Sequence, residues 1–124
     1  MMRLYLERPP SLNHLFPSGK DGARHRSPAY EKWRKVCGPI MMIQRPQAIH
    51  GPVRIDIVIR DEGSGDLDNF CKGAIDLLVH HKLIDGDNRP VVREIRMSWG
   101  DPMWRAESFK AEQPMGCTVE VRAA

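Results

Sequence analysis

No stretch of this chain approaches the ~20 consecutive apolar residues that a membrane-spanning helix requires, so no membrane partner is expected. Its opening, Met-Met-Arg-Leu-Tyr-Leu-Glu-Arg-Pro-Pro, lacks the apolar core of roughly 7–15 residues that marks a secretory signal. Cysteine is scarce: Cys37, Cys71 and Cys117 are odd in number, widely spaced and free of any Cys-x-x-Cys pair. That spacing argues against a disulfide framework or a zinc site and for free thiols in a reducing, cytoplasmic setting. A glycine-rich phosphate loop and a Gly-x-Ser-x-Gly nucleophile elbow are also missing, as are internal repeats and low-complexity tracts. Nucleotide-loop enzymes, serine hydrolases of that type and repeat proteins are thereby set aside.

What remains is a chain of 124 residues, read as one domain over 1–124, with 28% charged and 41% hydrophobic residues, the proportions of a globular protein. Its net charge of +3 conceals an asymmetry. Residues 1–60 hold eleven Lys/Arg against four Asp/Glu, and residues 61–124 hold eight against twelve. Basic character set apart from acidic character suits a polyanion lying over an acidic site, although an ordinary solvated surface accounts for the charge equally well.

Arg3 to Glu7 reads as a first strand, stopped by Pro9-Pro10. Residues 9–26 are rich in Pro, Gly, Ser and Asn and form a long loop. Lys20, Arg24 and Arg26 make that loop a candidate DNA-gripping arm. Ser27-Pro28 then provides a helix start. Tyr30, Trp33 and Val36/Cys37 recur at helical spacing; packing against a sheet is the expectation for Tyr30 and Trp33, with base stacking as the rival. Gly38-Pro39 should end or kink this helix, and residues 39–49 carry no clear period. Val53, Ile55, Ile57 and Ile59 alternate with Arg54, Asp56, Val58 and Arg60, the clearest strand signal in the chain. Phe70, Ala74, Leu77 and Leu78 give one apolar face to a helix over 68 to about 81. Val91, Ile95, Met97 and Trp99 suggest a third strand, and Cys117, Val119 and Val121 a closing fourth. The order β-α-β-α-β-β predicts an α+β (or α/β) fold, a small mixed four-stranded sheet covered by two helices.

The chemistry is concentrated in Asp66-Leu67-Asp68-Asn69, Lys72, Asp76 and Asp85-Gly86-Asp87. With Asp68 as N-cap, Asp68, Lys72 and Asp76 fall within about 80° along one helix edge. Asp66 precedes them in the loop, and a third acid, Asp85 or Asp87, would come from the segment after the helix. Carboxylates gathered without histidine or thiolate favour Mg²⁺ or Mn²⁺ over zinc. Such a cation can activate water and neutralise a scissile phosphate, and Lys72 offers an ammonium for the phosphate or the water. Read singly, the same residues are a helix cap, an i,i+4 pair and a turn. An EF-hand is excluded, because counting from Asp66 or Asp85 places no glycine at position six and no glutamate at twelve. Adjacent His80-His81 diverge on a helix and suit a solvent-facing helix end.

Pro9-Pro10-Ser11-Leu12-Asn13 and the run from Asp66 to Asp76 (Asp-x-Asp-Asn-x-x-Lys-x-x-x-Asp) resemble the RusA family of Holliday-junction resolvases, small endodeoxyribonucleases of bacteria and their prophages. The likeness spans most of the chain, since strand and helix order also agree. It implies that Asp66, Asp68 and one acid of 85–87 bind Mg²⁺ (Mn²⁺ as substitute), with Lys72 assisting catalysis. Where the family shows two adjacent acids this chain has Asp85-Gly86-Asp87; ungapped counting from Asp68 favours Asp87, with Asp85 as alternative. The resemblance further implies a homodimer, matched to the two symmetric cuts of a four-way junction. Asn13, Lys20, Arg24, Arg26, Lys32 and Lys35 form the implied DNA-contact set. The resulting expectation is a cytoplasmic Mg²⁺-dependent endonuclease, bacterial or prophage-encoded, resolving branched DNA in recombination and repair. Gly86 leaves room for a catalytically silent junction-binding or regulatory module of the same fold, and a nuclease of flaps or other branched forms is a further alternative.

Overall fold

The computed structural model describes residues 1–11, 28–100 and 116–124. Four strands, β1 (Met2–Leu6), β2 (Val53–Arg60), β3 (Val92–Gly100) and β4 (Cys117–Ala123), form one mixed sheet in the order β1-β4-β2-β3. Helix α1 (Pro28–Ile43) follows β1; a 3-10 turn (Leu67–Phe70) and helix α2 (Cys71–His80) lie between β2 and β3. Among the described residues the architecture is therefore the small α+β fold expected, a four-stranded mixed sheet with two helices. Among the described residues no helix is long and apolar enough to cross a membrane.

Strict alternation makes β2 the organising strand. Val53, Ile55, Ile57 and Ile59 are all buried on the helix side, where each side chain contributes about 1.5–3 kcal/mol of burial free energy. Antiparallel β4 flanks it on one side, with Ile55 opposite Val121 and Ile57 opposite Val119. Parallel β3 flanks it on the other, with Ile57 opposite Met97. The opposite sheet face is polar: Arg122 pairs with Asp56 and Glu120, Arg3 with Glu120, and Arg54 with Glu94.

α1 buries Tyr30, Trp33, Cys37 and Met41. Tyr30 and Trp33 stack with ring centroids 6.2 Å apart, and the Trp33 indole donates to the Glu7 carbonyl at 3.0 Å. They are packing residues, not stacking platforms. The helix does not stop at Gly38-Pro39, as the proline suggested; it runs on to Ile43. Pro39 removes one hydrogen bond, to the Lys35 carbonyl, but the following turn is anchored. Met41 is fully buried. Gln44 bonds both the Tyr5 N–H and the Tyr5 carbonyl, at 3.0 and 2.7 Å. Tertiary contacts thus outweigh the local signal. Gly38 allows α1 to approach α2, since a Cβ there would lie 3.1 Å from His81 Nε2. Expected Ser27 capping lies outside the described residues.

The parallel β2–β3 pair dictates the site's layout. A parallel connection needs a crossover, and α2 supplies it, burying Ala74, Ile75, Leu77 and Leu78 against the sheet. Chain leaving the carboxyl end of β2 carries Asp66 and Asp68; chain returning to the amino end of β3 carries Asp85 and Asp87.

Candidate functional site

After Arg60 the chain turns through an exposed loop in which Gly63 and Gly65 have φ of 73° and 116°. A Cβ on Gly65 would come within 2.8 Å of the Phe70 ring, so this loop lies directly on a buried aromatic. Asp66 is extended, and its carbonyl accepts the Asn69 N–H at 3.0 Å, closing the 3-10 turn. The Asp66 carboxylate caps nothing. Asp68 is not the helix N-cap that its position suggested: it lies inside the 3-10 turn, and α2 starts at Cys71 with Phe70 at the cap position. Aspartate's preference for helix starts cannot distinguish an α turn from a 3-10 entry. The burial of Phe70 sets where the helix begins. Both carboxylates are exposed, and neither hydrogen-bonds nor ion-pairs with another described residue.

Lys72 behaves otherwise than its spacing from Asp68 suggested. Its Nζ extends toward the carboxyl end of α2, 3.0 Å from Asp76 and 2.8 Å from Asp87. The ammonium therefore bridges the helix to the segment that follows it. The Lys72 hydrogen bond holds the Asp87 carboxyl below the ordinary aspartate range. Partial burial pulls Lys72 down, but its bonds to Asp87 and Asp76 outweigh this and leave its pKa raised. Asp85 faces another way. Its carboxylate accepts the Gly51 N–H at 2.7 Å and meets His50 Nδ1 at 2.9 Å, and those contacts, Gly51 first, hold its pKa down. Of the two acids around Gly86, then, Asp87 is the one joined to α2.

The donor chemistry of Asp66, Asp68 and Asp87 suits a hard cation. Their placement does not complete a site for one: among the described residues no group of three or more His, Cys, Asp or Glu side chains is positioned to hold a metal. Asp66 and Asp68 precede α2, while Asp87 is engaged by Lys72 from the first turn of that helix.

Of the basic residues singled out from the sequence, Lys32 and Lys35 are exposed on α1. Asn13, Lys20, Arg24 and Arg26 lie outside the described residues. His80 is exposed and His81 half-buried at the end of α2, with rings edge-on 5.0 Å apart. Burial, then His80 and Arg34, lowers the His81 pKa. The three thiols are free; burial pushes Cys37 up to about 12 and raises Cys117 and Cys71 as well, which makes them poor nucleophiles.

Sequence reasoning passed over Arg8. This side chain lies 4.4 Å above the Phe70 ring centroid, beside a groove of about 430 Å³ that runs from Pro9-Pro10-Ser11 to Ser64-Gly65. A lone arginine before two prolines carries no signal of its own. Only the return of residues 63–70 against the end of β1 brings it next to the acidic loop.

Compared with known families and curated proteins, the chain matches no family model and no curated sequence.

Proposed function

We propose that this chain is a magnesium-dependent endodeoxyribonuclease of RusA type, acting on four-way or otherwise branched DNA in recombination and repair. The observation that carries the reading is the pair of exposed carboxylates, Asp66 and Asp68, left unengaged by other described residues at the carboxyl end of β2. Two uncompensated acids two residues apart repel one another, and a folded chain gains nothing structural from either. They come in the same sequence run as Lys72 and Asp76, which supports the family resemblance. Magnesium, with manganese as substitute, is the proposed cation, with Asp66 and Asp68 as two of its ligands. Asp87 is the proposed third, in an arrangement where Lys72 no longer holds it. Homodimerisation and DNA contacts from Lys32, Lys35 and the 9–26 segment complete the proposal.

A labelled four-way junction incubated with the protein should be cut with Mg²⁺ and left intact with EDTA. Asp68→Asn should abolish cutting. Since Asp68 caps no helix, unfolding free energy in that variant should stay within about 0.5 kcal/mol of the parent. Cutting unaffected by chelation, or loss of folding in Asp68→Asn, would remove the reading. Comparing junction, fork, flap and linear duplex separates a resolvase from a broader branched-DNA nuclease.

The Lys72–Asp87 contact favours one rival, a junction-binding or regulatory module without catalysis. There the lysine permanently supplies the positive charge that a metal would bring. Junction binding with no cleavage under any divalent metal, and no metal-dependent rise in melting temperature, selects it.

A further inference from the structure

Arg8 Nε and Nη2 are buried and have no hydrogen-bond partner among the described residues. These two nitrogens form the side-on edge of the guanidinium, whose parallel N–H groups match two oxygens of one oxyanion. Leaving buried donors of a charged group unsatisfied is costly. The guanidinium is nevertheless firmly held. Its plane is seated over Phe70 at 4.4 Å, and Nη1 packs on Gly63, where a Cβ would lie 2.9 Å away. Its backbone lies so close to Gly116 that a Cβ there would approach the Arg8 nitrogen to 2.5 Å. A cation held over Phe70 and against Gly63, with its Nε/Nη2 donor edge unsatisfied by the described residues, is suited to receive an anion. The adjoining groove is also lined by Ser64 and Gly65, and serine hydroxyls and backbone amides commonly accompany arginine at phosphates.

We propose that this groove binds an oxyanion on the Nε/Nη2 edge of Arg8, and that the anion is a backbone phosphate of nucleic acid, placed beside Asp66. Its nucleic-acid source rests on the reading of Asp66 and Asp68 given above; the oxyanion chemistry does not. Both nitrogens are covered in the free chain, so the anion arrives with a local shift of the groove wall. The exposed Asp61–Gly65 loop, which meets Nη1 at Gly63 and turns on two glycines with positive φ, borders that groove.

The test uses ¹⁵N-labelled protein and the Arg8 Hε–Nε resonance, assigned by its disappearance in Arg8→Lys. Inorganic phosphate is titrated first, then a four-way junction. The resonance should shift with both. Arg8→Lys, which keeps the charge and loses the fork, should weaken junction binding about tenfold while preserving its salt dependence. Arg8→Gln should also reduce the salt slope by ~0.9. A junction that binds, by gel mobility, without moving the Arg8 signal overturns the proposal and leaves the nuclease reading intact. A shift with phosphate but none with a bound junction overturns the nucleic-acid source alone; a junction that fails to bind at all, by gel mobility, counts against the nuclease reading. The central measurement is made on the parent protein, so a variant that fails to fold does not blunt it.

Discussion

Lys72 shows how much one side chain can decide in an acidic motif. Its ammonium reaches Asp76 and Asp87 at 3.0 and 2.8 Å, with the paired side chains of Lys72 and Asp87 42% and 48% exposed. At that exposure water screens the pair. A double-mutant cycle of Lys72→Met with Asp87→Asn should give a coupling energy under about 1 kcal/mol. A larger value would mean that the contact is a structural clamp, which favours the silent-module reading. His81 provides a pH test. Its folded pKa lies below the unfolded value of about 6.5, so its contribution is complete above that pH. It is lost as pH falls through the folded value. Melting temperature should therefore drop from pH 7 toward pH 5, and His81→Gln should flatten that slope. An unchanged slope would show that His81 titrates in the folded chain as it does in the unfolded one. Gly65, at φ 116° with Phe70 2.8 Å from an added Cβ, should not tolerate alanine. A loss of about 1–3 kcal/mol is expected on chemical denaturation.

At the scale of elements, α1 and the 3-10 entry depart from what local patterning suggests, and for related reasons. Pro39 is a strong stop in isolation, worth about 3 kcal/mol in a helix interior. Burial of Met41 and the Gln44 bonds to Tyr5 hold the last turn regardless. Met41→Ala should accordingly cost about 2–5 kcal/mol and shorten the helix to the vicinity of Pro39. Loss of helical amide protection over residues 40–43 would report this in hydrogen exchange. If protection persists, Gln44 alone is the anchor. α2, by contrast, was largely legible on its apolar face: Phe70, Ala74, Leu77 and Leu78 are all buried, and the structure adds Ile75. Its start was not, since Asp66, Asp68 and Asn69 are all acceptable cap residues by chemistry. None of them caps α2: the helix starts at Cys71, with buried Phe70 at the cap position.

Across the whole molecule, the parallel pairing of β2 with β3 has the largest functional consequence. It sends Asp66 and Asp68 to one end of the crossover and Asp85 and Asp87 toward the other, and leaves Lys72 to span the interval. The same pairing makes β3 an edge of the described sheet, with Ile95 and Trp99 partly exposed on the helix side. Trp99 is supported there by Phe70, edge-on at 6.0 Å. Under the proposed function, electrostatic attraction to DNA acts over this whole scale. If Lys32 and Lys35 each neutralise one phosphate, their joint replacement by alanine should lower the slope of log affinity against log salt by ~1.8. A weakened affinity with an unchanged slope would place both lysines away from the backbone.

The alternation in β2, the 3.6-residue period of α2 and the Asp-x-Asp-Asn-x-x-Lys-x-x-x-Asp spacing were sufficient by themselves to place two central elements and to name the acidic residues between and after them. Local periodicity determines which face is buried, and spacing determines which groups are available. Tertiary structure alone decided that Lys72 turns to Asp87 and Asp76, that Asp85 belongs to Gly51 and His50, and that Arg8 meets the acidic loop. Each of those contacts joins residues whose proximity depends on strand order and helix length, and a sequence read in one dimension carries neither.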